Sequence, residues 1–154
     1  MGMFDAFDVS ASGMTAQRYR MDVISENVAN ANTTRTENGE PYRRKVVTFE
    51  AKEQHGMFRD YLDSATNVGN VAGKSVGGGV RVVSVQEDMT TEMNQVYDPS
   101  HPDADENGYV YYPNVNTITE MTNLIDASRA YQANATAFDA SKSMAVQGLD
   151  ILKS

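Results

Sequence analysis

Apolar residues recur at helical spacing in two stretches at opposite ends of the chain, separated by a middle rich in Gly and Val. The first runs from Asp5 to Asn32. Phe7, Ala11, Met14, Met21, Ile24, Val28 and Ala31 follow at steps of three, four or seven, which places them on one helical face. Asp5 is placed to cap this helix, and Asp8 puts negative charge in its first turn, where the dipole favours it. Arg18 and Asp22 form an i,i+4 pair on its flank. The second stretch opens after Pro113 with Thr117-Ile118-Thr119-Glu120, a capping box. Ile118, Met121, Leu124, Ser128, Tyr131, Ala135, Phe138, Lys142, Ala145, Leu149 and Leu152 then alternate steps of three and four, a heptad stripe of the kind that faces a partner helix. At about 1.5 Å per residue the two helices are roughly 40 and 55 Å long.

Between them, Arg43 to Glu50 and Val80 to Val85 read as strands, β-branched and bounded by Gly39, Pro41 and Gly77-Gly78-Gly79. Val96-Tyr97 and Tyr109 to Tyr112 add short edge strands. Residues 53–79 are rich in Gly, Asn, Ser and Ala and are expected to form a flexible loop. The fold class is mainly α with a small β portion. Residues 1–34 and 113–154, the terminal helices, form one core, and residues 35–112 form a middle region with short strands.

Composition sharpens this. Leu, Ile, Val and Phe make up roughly 19% of the chain, near the level at which a chain struggles to build its own core. Nine Met partly compensate, and Met suits contact surfaces that repack. Ala, Ser and Lys at several positions thin the second stripe. The chain is therefore expected to complete its burial against other chains. The net charge is −8 and no basic cluster exceeds Arg43-Arg44-Lys45, so nucleic acid and anionic membrane surfaces are not expected partners. The absence of cysteine excludes disulfides and thiolate metal sites. No apolar run approaches the ~20 residues that span a bilayer. The first residues lack the basic and apolar regions of a cleaved secretory signal.

Candidate chemistry is sparse. Asp103-Ala104-Asp105-Glu106-Asn107-Gly108 matches half of an EF-hand loop, but the position of the bidentate Glu holds Asn114 and no helical pattern follows directly, so a solvated turn is expected. Asp98, His101, Asp103 and Asp105 form no recognised ligand spacing; His55, the other histidine, is far along the chain. Gly69-Asn70-Val71-Ala72-Gly73-Lys74-Ser75 is one residue short of a phosphate-binding loop and lacks its flanking strand and helix. No nucleophile–base pair stands out, so neither enzyme nor cofactor is expected. The most peculiar run is Asn27-Val28-Ala29-Asn30-Ala31-Asn32-Thr33. Asn is a poor helix former, so these amides either end the helix or bond across a subunit interface and orient the departing chain.

The same run carries a resemblance. With Ser12-Gly13-Met14 and Ala16-Gln17-Arg18 it resembles the N-terminal signature of flagellar axial proteins, and Ser128-Arg129-Ala130-Tyr131-Gln132-Ala133-Asn134 resembles their C-terminal helix. Tyr97-Asp98-Pro99, Asp103-Ala104-Asp105, Asn107-Gly108-Tyr109-Val110 and Pro113-Asn114-Val115 look like the proximal-rod branch of that family. The likeness covers most of residues 7–50 and 80–152, and the stretch from about Glu53 to Ser75 departs from it. It implies two terminal helices paired as an antiparallel coiled coil facing the lumen of a hollow rod, with the β portion further out. It implies uncleaved export through the flagellar type III machinery and a periplasmic place in the basal-body rod. The partners it implies are other rod proteins, copies of the chain and an adaptor at the membrane ring, and the role is to transmit torque and enclose the export channel. The interface residues expected on this basis are Met14, Arg18, Met21, Asn27, Asn30, Asn32 and Thr33, with Leu124, Arg129, Tyr131, Asn134, Phe138 and Leu149 on the returning helix. A distal-rod or hook-type axial protein is the nearest alternative. A calcium-binding module built on Asp103 to Asn107 is the alternative of a different class.

Overall fold

A computed structural model of the protein describes residues 3–52 and 78–153. The phosphate-loop-like run at 69–75 and nearly all of the glycine-rich loop lie outside them. Helix α1 spans Met3–Ala29. Strands β1 (Lys45–Ala51), β2 (Val80–Glu87), β3 (Asn94–Tyr97) and β4 (Tyr109–Tyr112) follow. Helix α2 closes the order at Thr117–Lys153. The expected architecture is therefore present: two terminal helices and a small middle region of antiparallel strands.

The helices run antiparallel. Asn27 meets Glu120, Gly13 faces Asn134, and the Phe7 and Phe138 rings stack edge to face at 5.0 Å. On this register the first residue of α1 lies level with about Lys142–Met144. The last two and a half turns of α2 therefore project about 13 Å past α1. Gly13 permits the close approach: a Cβ there would lie 2.8 Å from the Asn134 side-chain oxygen.

The strands form two separate ribbons. β1 pairs with β2 from Lys45↔Glu87 to Ala51↔Val80, with a bulge at Thr48/Phe49. β3 pairs with β4 from Asn94↔Tyr112 to Tyr97↔Tyr109. An isolated two-stranded ribbon is marginal in water, and the first gains its support from α1. Val80 N donates to the Ser12 hydroxyl at 3.1 Å. Gly79, at φ +101°, has no room for a side chain there, since a Cβ would come within 2.1 Å of the same hydroxyl.

Three details depart from expectation. Helix α1 begins at Met3, so Asp5 lies inside its first turn and does not cap it. The Arg18–Asp22 pair is absent among the described ion pairs. The capping box is also not formed. Asn116 Oδ1 accepts the amides of Ile118 and Thr119 at 3.0 and 3.2 Å, so Asn116 caps α2 one residue earlier. That start frees Glu120 from the helix end and lets it turn inward.

Candidate assembly interface

The stripe expected on α2 is half right. Leu124, Phe138 and Ala145 are half-buried along the helix pair, while Tyr131, expected on the same line, is 37% exposed. The second line of the heptad is Glu120, Ala127, Asn134 and Ser141, seven residues apart and buried or half-buried. Ile118, Met121 and Leu149, expected on the seam, point to solvent instead. The cause is chemical: the inner line is built from small and polar residues, so an apolar count passes over it and selects its neighbours.

Glu120 opens that line and is the hub of a buried polar junction. It is 1% exposed. Its Oε1 accepts Arg44 Nε and Nη2 at 3.0 and 2.8 Å and Asn123 Nδ2 at 3.2 Å, and its Oε2 accepts Asn27 Nδ2 at 3.2 Å. The forked guanidinium contact supplies charge and geometry together. Arg44 also lies 3.7 Å from Asp88.

Asn27 is fully buried, and its amide is used on both sides. Nδ2 donates to Lys45 O and Oδ1 accepts Lys45 N, both at 2.9 Å, so the side chain pairs with β1 as a strand residue would. Oδ1 also accepts the Tyr42 hydroxyl at 2.9 Å. Burial first, and then the charges of Glu26, Glu87 and Glu120, push the Tyr42 hydroxyl up to about 12. Lys45 pairs with Glu26.

A second buried amide, Asn114, repeats the device. Its Oδ1 accepts Arg44 N at 2.8 Å, and its Nδ2 donates to Asp88 O and Thr91 O at 2.9 and 3.2 Å. The hydroxyls of Thr90 and Thr91, with the Thr91 amide, hold the Asp88 carboxyl well below the usual carboxylate range. The junction thus joins the end of α1, the start of β1, the end of β2 and the start of α2. Each of its charges has a partner, which is what burial demands of them.

The remaining expected interface residues divide by position. Met14 and Met21 are half-buried on α1. Asn30 Nδ2 donates to Glu26 O and its Oδ1 accepts Thr33 Oγ1, which ends the helix, while Asn32 is exposed. Of the Asn run, therefore, Asn27 orients the departing chain from inside and has no hydrogen-bonding position left for a neighbour. Arg18 and Arg129 are exposed and make no ion pair among the described residues. Asn134 donates to Ala130 O at 2.9 Å beside Gly13.

A second apolar surface is turned outward. Ile118 is 77% exposed and, with Met121 and Ile125, forms a strip on the side of α2 away from α1. Met144, Val146, Leu149 and Ile151 are exposed on and beside the projecting end. Contiguous apolar surface of this kind marks contact with other macromolecules. No described helix is long and apolar enough to cross a membrane.

The half EF-hand run folds as an Asx turn. Asp105 Oδ1 accepts the amides of Asn107 and Tyr109 at 2.8 and 3.0 Å. Asp103 takes the Thr34 hydroxyl at 2.8 Å and lies 3.7 Å from Arg35. His101 Nδ1 accepts the Asp103 amide. Among the described residues no three acidic or histidine side chains gather as a metal site would require.

Sequence reasoning missed Tyr42, Arg44, Asp88, Asn114 and Glu120. The available signal was indirect: a polar residue recurring on a heptad line opposite another helix.

Comparison with known proteins places these features in a family. Residues 7–35 match the model described as "Flagella basal body rod protein", and residues 106–151 match "Flagellar basal body rod FlgEFG protein C-terminal". The flagellar basal-body rod protein FlgC of Borreliella burgdorferi is 43% identical over 162 residues, covering 99% of both chains. That of Bacillus subtilis is 44% identical over 157 residues, covering 99% of this chain and all of its own. That of Salmonella typhimurium is 38% identical over 151 residues, covering 98% of each.

Proposed function

The chain belongs to the FlgC family of flagellar basal-body rod proteins, and from that premise we propose how it works within the rod. It is a structural subunit of the basal-body rod. It stands in the proximal part, where its paired helices line the hollow shaft and the strand ribbons lie outside. Its role is mechanical rather than catalytic: it transmits torque and encloses the export channel.

Its partners are other rod proteins, copies of itself and an adaptor at the membrane ring. It reaches the periplasm uncleaved through the flagellar export machinery. The near full-length identity to FlgC relatives carries this reading, and favours it over a distal-rod or hook-type subunit. The contact surfaces for neighbours are the outward strip of Ile118, Met121 and Ile125 and the projecting end with Leu149 and Ile151, flanked by the exposed Arg129. Arg18 and Asn32 extend the contact on α1 and its exit, while Leu124, Tyr131 and Phe138, beside the inner line of Glu120, Ala127 and Asn134, hold the helix pair together.

The test is a chromosomal Ile125→Asp replacement. Ile125 is exposed, so chain stability should change by no more than about 0.5 kcal/mol. Isolated chain should keep its circular dichroism and melting temperature, while cells should lose motility and yield no rods extending past this subunit. Normal swimming by the variant would overturn the reading of that strip.

A further inference from the structure

Two turns of this chain share a tripeptide and a backbone pattern. Glu37-Asn38-Gly39 and Glu106-Asn107-Gly108 each sit in a five-residue reversal. In the first, Thr36 N donates to Glu40 O and Gly39 N to Thr36 O, both at 2.9 Å. In the second, Asp105 N donates to Tyr109 O at 2.9 Å and Gly108 N to Asp105 O at 3.0 Å. The glycines take φ +82° and +79°, and both asparagines are exposed.

The turns differ in what holds them closed. Asp105 Oδ1 grips the Asn107 turn through two amides. Gly108 is packed so that a Cβ would lie 3.1 Å from the Tyr97 ring and 3.2 Å from Pro99. Gly39 has nothing within 4 Å of the same point. Beyond the shared pattern, its turn has the bond from the Thr36 hydroxyl to Glu40 O.

We propose that Asn38 is a site of spontaneous deamidation and isoaspartate formation, and that the fold protects Asn107 from the same reaction. The Gly39 backbone nitrogen attacks Asn38 Cγ, forming the N–Cγ bond of a five-membered succinimide. The side-chain amide nitrogen leaves as ammonia and takes the proton that Gly39 N gives up. Water then opens the ring: cleavage at Cγ leaves an ordinary aspartate in place of the asparagine, and cleavage at the main-chain carbonyl leaves isoaspartate. No oxidant or reductant takes part.

Glycine favours ring closure because no side chain crowds the attacking nitrogen. Closure also requires Gly39 N to release Thr36 O, so the rate follows how readily the turn opens. The product adds a negative charge between Glu37 and Glu40 and, as isoaspartate, an extra backbone carbon between α1 and β1. The altered turn lies near the Thr34–Asp103 contact that ties this connection to the loop before β4.

The experiment incubates the full chain in neutral and mildly alkaline buffer. Conversion at each Asn is followed by peptide mass spectrometry, and isoaspartate by enzymatic methyl labelling. In the folded chain, Asn38 should convert about tenfold faster than Asn107. In denaturant, where both are Glu-Asn-Gly in an open chain, the ratio should fall towards one. Asn38→Ser should remove the fast component and leave the slow one. Equal rates in the folded chain, faster conversion at Asn107, a ratio unchanged by denaturant, or no conversion while the denatured chain reacts would each overturn the proposal.

Discussion

The two ends of α2 are built on opposite principles. At its start the Glu120 carboxylate and the Asn27 amide are buried, the half-buried Arg44 guanidinium and Asn123 amide bond to that carboxylate, and the apolar Ile118 and Met121 face outward. At its far end no helix among the described residues lies alongside, and apolar Leu149 and Ile151 are exposed. Globular proteins usually keep the apolar groups inside and the charged ones outside. Here hydrogen-bonding geometry fixes the internal joint, and apolar area is left for other chains. A subunit that must present the same angle in every copy benefits from directional bonds at the joint, because apolar packing alone specifies angle poorly.

If the joint is as described, the largest effect should come from Glu120→Ala. It leaves Arg44 and the Asn27 amide without their shared acceptor and should cost about 3 kcal/mol. Circular dichroism melting would read this as lost helix or a much lower midpoint, and an unchanged melt would show that the joint does not depend on Glu120.

Gly13→Val tests the seam below the joint. Its side chain meets Asn134 and should cost about 1–3 kcal/mol, with Asn134→Ala restoring most of the loss. If Asn134→Ala restores nothing, the close helix approach is not set by this pair.

The smallest effect is a pH dependence. Tyr42 titrates at about 12 in the folded chain against 10.0 as a free side chain. A raised value means the folded state holds its proton longer than the unfolded one. The stabilisation is complete below pH 10, declines as pH rises from 10, and is gone above about 12. Ultraviolet titration should show the Tyr42 tyrosinate forming near pH 12, and Tyr42→Phe should abolish that step at a cost of about 1 kcal/mol for the lost hydrogen bond.

Much of this fold was legible in the sequence because helical periodicity survives even a sparse stripe. Phe7, Ile24, Leu124 and Phe138 all lie where their spacing puts them, and the four strands fall within a few residues of the β-branched runs. The joint was not legible. Glu120 reads as a capping acid because Thr117 stands three residues before it, and only the position of Asn116 reveals the true start. Asn27 reads as a helix-ending residue because its bonding partner, Lys45, lies across a loop. Buried polar residues leave no hydropathy signal, so their placement depends on distances the chain shows only when folded.

The pairing of Asn27 with the Lys45 backbone makes position 27 intolerant of change in ways that can be named. Aspartate would offer acceptors on both branches, leaving the Lys45 carbonyl without a donor and setting a second carboxylate against Glu120. Glutamine would carry the right groups one methylene too far. Leucine would fill the space and strand four polar atoms. Drift at this position would therefore have to be accompanied by change in β1 and α2 together, so the three segments should vary as one unit across related chains.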